Sequence, residues 1–258
     1  MNAARAESPA FTSGRGARQP PRFARPGTPR LPHEHHIKPL LYDLLPGGDP
    51  CDLPPDGDAR DLPPDGERAG PAVPPRGRPL VYATLGTMYN KATSVFGALA
   101  EAFDGQDYDV LMTTGPDCDP ESVLPGGTPA NVRLARYVPH SAVFRRCDVV
   151  ISHGGFSTVM CALAESVPLG LIPLGSDHGT NARRCAALGA ALVYPRCVLE
   201  PYLHVAPEDV DPGLVREMTA TLLAEASYRA AARTVAAEVA ALPGPDHAVR
   251  LIEDLLKP

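Results

Sequence analysis

From residue 78 onward, apolar runs of strand length alternate with stretches of helical period. Strands are expected at Leu80–Thr87, Asp109–Thr114, Val132–Val138, Val149–His153, Leu169–Pro173 and Ala191–Tyr194. Several of these runs are nearly unbroken in apolar residues, the pattern of strands covered on both faces. Helices are expected at Ala92–Phe103, Ser141–Arg146, Ser157–Glu165, Thr180–Leu188, Pro212–Ala226, Tyr228–Ala241 and Asp246–Leu256. Strand–helix alternation predicts an α/β fold with a doubly wound parallel sheet. Right-handed crossovers then place the C-terminal end of every strand on one edge. Ligands of such sheets bind at that edge, near the point where the strand order reverses.

Residues before 79 follow no such pattern. Seventeen of the 31 prolines fall in residues 1–79. Residues 1–34 are rich in Arg, Pro, Gly and Ser and too poor in apolar side chains to offset the entropy of folding, so a disordered tail is expected there. Residues 52–57 and 61–66 both read Asp-Leu-Pro-Pro-Asp-Gly, a tandem repeat of turn-forming residues. Residues 35–78 therefore read as a linker, with one possible short strand at residues 36–42. The folded domain is expected over residues 79–258.

Composition narrows the classes. A hydrophobic content of 44% suffices for a core, and a formal charge of -6 offers no basic surface for nucleic acid. No apolar run approaches the ~18 residues of a membrane span, and no apolar signal core stands at the N-terminus. Cys51, Cys118, Cys147, Cys161, Cys185 and Cys197 show neither Cys-x-x-Cys pairs nor zinc-finger spacing. They read as reduced thiols of a cytoplasmic protein.

The chemistry-bearing residues cluster at the expected strand ends. Ser152-His153-Gly154-Gly155-Phe156-Ser157-Thr158 reads as a buried strand, a glycine turn and a helix start. Glycines permit a sharp turn and close approach of a ligand. The amides that open a helix, with the positive end of its dipole, form an anion site suited to a diphosphate. Ser157 and Thr158 can add hydroxyl bonds, and His153 can donate to a phosphate oxygen. Gly86-Thr87 ends the first strand, and Thr87 can bond a phosphate. Val138-Pro139-His140 ends the third, and His140 can meet a base. Asp177 and His178 lie in a loop after the fifth, where Asp177 can accept from sugar hydroxyls. Each has a structural alternative. Ser157 can be a helix cap, His153 can be satisfied within its turn, Asp177 can be an N-cap, and His140 can be an isolated surface histidine.

Taken in order, Arg78–Asn90 (RPLVYATLGTMYN), Asn131–His140 (NVRLARYVPH), Cys147–Pro168 (CDVVISHGGFSTVMCALAESVP), Ile172–Gly189 (IPLGSDHGTNARRCAALG) and Tyr228–Ala241 (YRAAARTVAAEVAA) carry a family pattern. Residues 78–257 resemble the C-terminal, donor-binding half of a GT-B glycosyltransferase. The resemblance is to the UDP-glycosyltransferase superfamily, and most closely to its bacterial natural-product, macrolide-type branch. It implies a Rossmann-like domain binding a UDP- or dTDP-linked sugar as substrate, with no metal and no cofactor. His153, Gly154, Gly155, Ser157 and Thr158 would hold the diphosphate, with Thr87 touching it from the first loop. Val138 and His140 would flank the base, and Asp177 and His178 would contact sugar hydroxyls. The reaction implied is hexosyl transfer with inversion to a hydroxyl of a natural-product-like small molecule. The helix N-terminus and His153 would stand in for a cation as the nucleoside diphosphate leaves.

Three departures from the family pattern stand out. His140 and His178 occupy positions where Gln is usual, and imidazole replaces amide with altered reach. The Glu that often holds the ribose hydroxyls would fall at Cys161, and a thiol substitutes poorly. Upstream, the acceptor-binding domain that normally supplies a catalytic His is not evident. His33, His35 and His36 have no predicted fold to place them, so the general base is expected to come from elsewhere. The alternative reading is a truncated or split chain that binds the nucleotide-sugar without catalysis unless an acceptor domain is supplied in trans. An exposed, somewhat apolar strand-end edge and self-association would then be expected.

Overall fold

A computed structural model describes residue 38 and residues 73–256, apart from residues 90, 116–117 and 199–202. The expected tail at 1–34, the repeat-bearing linker at 35–78 other than residues 38 and 73–78, the strand at 36–42, Cys51, His33, His35 and His36 lie outside the described residues. By its contacts the chain divides into two units, residues 41–236 and residues 1–40 with 237–258.

The larger unit holds a six-stranded sheet among its described residues. Its strands are β1 (Leu80–Thr84), β2 (Asp109–Thr113), β3 (Val132–Ala135), β4 (Val149–Ser152), β5 (Leu169–Leu171) and β6 (Ala191–Val193). The helices are α1 (Thr93–Phe103), α2 (Pro120–Val123), α3 (His140–Phe144), α4 (Phe156–Ala164), α5 (His178–Ala187), α6 (Pro212–Ala224) and α7 (Ala226–Ala240, whose last four residues belong to the smaller unit), with a 3-10 turn at Pro207–Asp209. All pairings are parallel, in the order β3-β2-β1-β4-β5-β6. Order reverses between β1 and β4, which is where this topology opens its crevice.

The central strands β1, β4 and β5 are buried along their whole length, whereas β3 and β6 are buried only in part. Continuous apolar runs in the former follow from helices covering both faces. Val81, Ala83 and Ile151 share one core with Phe96, Leu99 and Phe103 of α1 and with Val215, Met218 and Leu222 of α6. Gly170 on β5 makes room for that helix: a Cβ there would stand 2.5 Å from Ile151 Cδ1 and 3.0 Å from Met218 Cε. The α1 C-terminus is closed by Arg216 of α6. Its Nε donates to the Ala102 carbonyl at 3.0 Å and its Nη2 to the Glu101 carbonyl at 2.9 Å.

All six expected strands are present, but several end early. The first stops at Thr84 rather than Thr87 because Gly86 turns the chain at φ +68°. The third stops at Ala135 rather than Val138. Its last rungs are Thr114 N–H to the Ala135 carbonyl and Gly115 N–H to the Arg136 carbonyl, after which Gly115 turns at φ +90° and removes the partner. The fifth stops at Leu171, short of Pro173, which has no N–H for a ladder. Helix α2 and the 3-10 turn, each about one turn long, were not expected from the pattern.

In the smaller unit, helix α8 (Pro245–Leu255) carries exposed Val249, Ile252 and Leu255. Lys38 N–H donates to the Pro243 carbonyl at 2.8 Å just before it. Among the described residues, no helix is long and apolar enough to cross a membrane.

Candidate functional site

Two adjacent strand ends are built alike. In register, Thr84 of β1 lies beside Ser152 of β4. Thr84 Oγ1 accepts from Gly86 N–H, and Ser152 Oγ accepts from Gly154 N–H, each at 3.2 Å. These hydroxyl turns curl the chain into glycines at φ +68° and +94°, a region that side chains rarely adopt. Thr84 is held from the other side as well. Tyr82 Oη lies 2.8 Å from Thr113 Oγ1, which donates to Thr84 Oγ1 at 3.0 Å. Because the one Thr113 proton goes to Thr84, the Tyr82 hydroxyl is the donor in the first bond.

The imidazole of His153 is seated between the two turns. A Cβ at Gly86 would stand 2.7 Å from its Cε1, and a Cβ at Gly155 would stand 2.5 Å from its Nε2. Gly155 has ordinary extended backbone (φ -61°, ψ 140°), so there the glycine is needed for space rather than for backbone freedom. It is also the N-cap of α4, which receives no side-chain cap bond. The first helical bond runs from Val159 N–H to the Gly155 carbonyl at 3.0 Å. The amides of residues 155–158 precede it, at the positive end of the helix. Ser157 lies inside the first turn rather than capping it, and the helix opens one residue earlier than expected, at Phe156. Ser157 is exposed, while the Thr158 side chain is 5% exposed, so Thr158 faces the core.

His153 and His178 form a buried pair, 6% and 4% exposed, with ring centroids 4.5 Å apart and edge to face. Tyr89 closes the cluster, its ring 4.7 Å from His178 and 6.1 Å from His153. Nδ1 of each histidine is buried without a hydrogen-bond partner among the described residues. Burial, and secondarily the neighbouring His178, push the His153 imidazole down from 6.5 to about 4. Burial lowers His178 too. Both rings are therefore neutral near pH 7, and the fixed positive character of the site comes from the α4 amides. The neutral ring carries one N–H, with the Thr84 backbone as an acceptor in reach, and takes a charge only if something raises its pKa.

The other expected residues fall around this centre. Thr87 is exposed just beyond Gly86. His140 opens α3, 4.8 Å from the Phe144 ring and 6.3 Å from Tyr82. Val138 is 3% exposed, so any contact with a base would pass through its backbone. Cys161 is buried on the second turn of α4, and the five described cysteines form no disulfide. Asp177 is exposed at the N-cap position of α5 but makes no cap bond. Its Oδ2 accepts from Asn181 Nδ2 at 2.9 Å, and the same Nδ2 donates to the Gly154 carbonyl at 2.9 Å. Asn181, Tyr89 and the seating role of Gly86 were missed from the sequence. The one available signal was the four-residue spacing of Asp177 and Asn181, which places them on one helix face. The rim includes two exposed apolar side chains, Met88 (85%) and Phe156 (48%).

A doubly wound parallel sheet with amides and seated imidazoles at its reversal point is an α/β, Rossmann-like domain with the fold of GT-B glycosyltransferases. Residues 107–255 match the family model of the erythromycin biosynthesis protein CIII-like C-terminal domain, and the chain belongs to that family. It is similar to demethyllactenocin mycarosyltransferase of Streptomyces fradiae, 31% identical over 185 residues that cover 72% of this chain and 37% of that protein. Among solved structures it is similar to glycosyltransferase VinC in complex with dTDP, at 30% identity and TM-score 0.55, covering 72% of this chain and 45% of that one. It is also similar to glycosyltransferase SnogD from Streptomyces nogalater, at 25% identity and TM-score 0.65, covering 92% and 55%. The chain thus spans about a third to about half of the length of these relatives.

Proposed function

We propose that the chain binds a UDP- or dTDP-linked sugar and carries the donor side of an inverting, metal-independent glycosyl transfer to a hydroxyl of a natural-product-like small molecule. The observation that carries this reading is the His153 imidazole seated between Gly86 and Gly155 beside the uncapped α4 amides. The amides of residues 155–158 and the His153 N–H hold the diphosphate, with Thr87 and Ser157 adding hydroxyls. Thr158, whose side chain is buried, contributes its amide. His140 and the Val138 backbone flank the base, and Asp177, with His178 behind it, faces the sugar. The acceptor oxygen attacks the anomeric carbon from the face opposite the diphosphate as its proton passes to a general base, and the bond from that carbon to the phosphate oxygen breaks with its electron pair leaving on the diphosphate. Negative charge then grows on the diphosphate, where donors already in place stabilise it. The general base and the acceptor site belong to protein outside the described residues.

Calorimetric titration with UDP and dTDP tests the reading. One of the two is expected to bind, with His153→Ala weakening it at least ~10-fold, the loss of one hydrogen bond to a charged group. Equal binding by the variant removes His153 from the site, and failure of both nucleotides to bind removes the donor function. Transfer, assayed with an acceptor domain added in trans, is expected to persist in a chelator and to invert the anomeric centre.

A further inference from the structure

We propose that Asn181 is a positioning residue that sets the spacing between the sugar-facing carboxylate of Asp177 and the diphosphate loop at Gly154. The inference rests on the donor-site reading and deepens it. Asn181 lies on the first turn of α5 and is 4% exposed. A side-chain amide nitrogen has two hydrogens. Here one is given to the Gly154 carbonyl and the other to Asp177 Oδ2, both at 2.9 Å. The two acceptors belong to different strand ends, and Gly154 and Asn181 are 27 residues apart in sequence.

Each acceptor needs such a tie. Gly154 sits at φ +94°, and its position is set closely: a Cβ there would already stand 3.2 Å from the His178 carbonyl. Fixing its carbonyl fixes the direction in which His153 and Gly155 leave the turn. Asp177 occupies an N-cap position with helical backbone (φ -82°, ψ -3°) and no cap bond, so backbone amides do not orient its carboxylate. Asn181 does so through one oxygen, which leaves Oδ1 to face outward from an exposed residue. The requirement is for two N–H donors on one atom at that height on the helix. Aspartate has none, serine has one, and leucine fills the space without bonding.

The test is a double-mutant cycle read with two kinds of ligand on the full chain: the bare nucleoside diphosphates UDP and dTDP, and the sugar-bearing UDP-glucose and dTDP-glucose. Asn181→Ala is expected to weaken the sugar-bearing ligand at least tenfold and the bare diphosphate by a smaller factor, since only the former uses Asp177. In an Asp177→Ala background, the same change is expected to weaken both ligands by one equal factor, because the sugar-specific part has gone. Merely structural damage would lower both affinities equally in both backgrounds, and that result, or unchanged affinity in a folded Asn181→Ala, overturns the proposal. Should the alanine variant fail to fold, isosteric Asn181→Asp replaces it. Two carboxylates would then face each other, and affinity for the sugar-bearing ligand is expected to become pH-dependent while that for the bare diphosphate changes less. Identical pH profiles for the two ligands overturn the proposal. A wild-type chain that binds neither nucleotide sinks the donor-site reading and this inference with it. Wild-type binding with an additive cycle sinks this inference alone.

Discussion

Gly155→Ala separates the seat of His153 from the stability of the fold. The backbone at residue 155 suits alanine, so the change acts through one added carbon. That carbon would stand 2.5 Å from His153 Nε2, where ordinary contact begins near 3.4 Å, so the ring must give way by about 0.9 Å. The ring is the far end of a side chain and can move. Overpacking is therefore expected at the low end of its range, ~1 kcal/mol, partly offset by the stiffer unfolded chain. Binding suffers more. A donor displaced by that much loses most of a hydrogen bond to a charged group, ~1.5–3 kcal/mol, or ~10- to 100-fold in affinity for UDP or dTDP. Calorimetry beside a thermal melt reads both. A variant that melts within a few degrees of wild type and binds its nucleotide equally well would refute the seating argument. At Gly86 the same substitution would mix steric and backbone effects, because φ there is +68°.

Acid should destabilise the fold through His153. Between pH 6.5 and about 4 the unfolded ring takes up a proton that the folded ring refuses, so stability falls as pH falls and levels off below about 4, by up to ~3 kcal/mol over the window. Urea midpoints at pH 7, 5.5 and 4 measure this, and His153→Gln should flatten the slope; an unchanged slope would assign the effect elsewhere. Tyr82→Phe removes the donor that begins the chain to Thr84 and should cost ~1–2 kcal/mol in urea unfolding; equal stability would mean that the chain holds nothing. Gly170→Ala should cost ~1–3 kcal/mol by crowding Ile151 and Met218, with Ile151→Val restoring part of it; full additivity of the two changes would count against that contact.

The fold was legible because its strands are buried on both faces, so LVYAT and VVIS stand out as apolar runs whatever their neighbours. Strand ends were less legible, because the partner decides them: β3 ends where β2 turns away at Gly115, and nothing in residues 132–138 records that. The site divides in the same way. Residue types at strand ends, such as His153 with its glycines and Asp177, follow from what the local backbone can offer a ligand. Tyr89 and Asn181 act through contacts across strand ends, the first by an edge-to-face contact with His178 and the second by reaching 27 residues back to Gly154. The departure at His178 was visible as a residue type, but its placement was not. Its buried ring lies against His153, and the exposed member of the pair is Asp177.

That placement decides how charge is managed at the site. Two imidazoles 4.5 Å apart in a buried setting disfavour each other's charged forms, and burial disfavours both. Helix amides hold their partial charge permanently, whereas these rings acquire a charge only when a nearby anion compensates for burial and for the neighbour. A diphosphate lying against the α4 amides would raise the pKa of the adjacent ring, and repulsion between the rings limits the gain to about one proton. A glutamine at position 178 would remove that repulsion and leave the charge on His153 opposed by burial. The histidine at 178 thus makes a positive charge on His153 more dependent on a neighbouring anion, and under the proposed function that charge would be lost once the anion left.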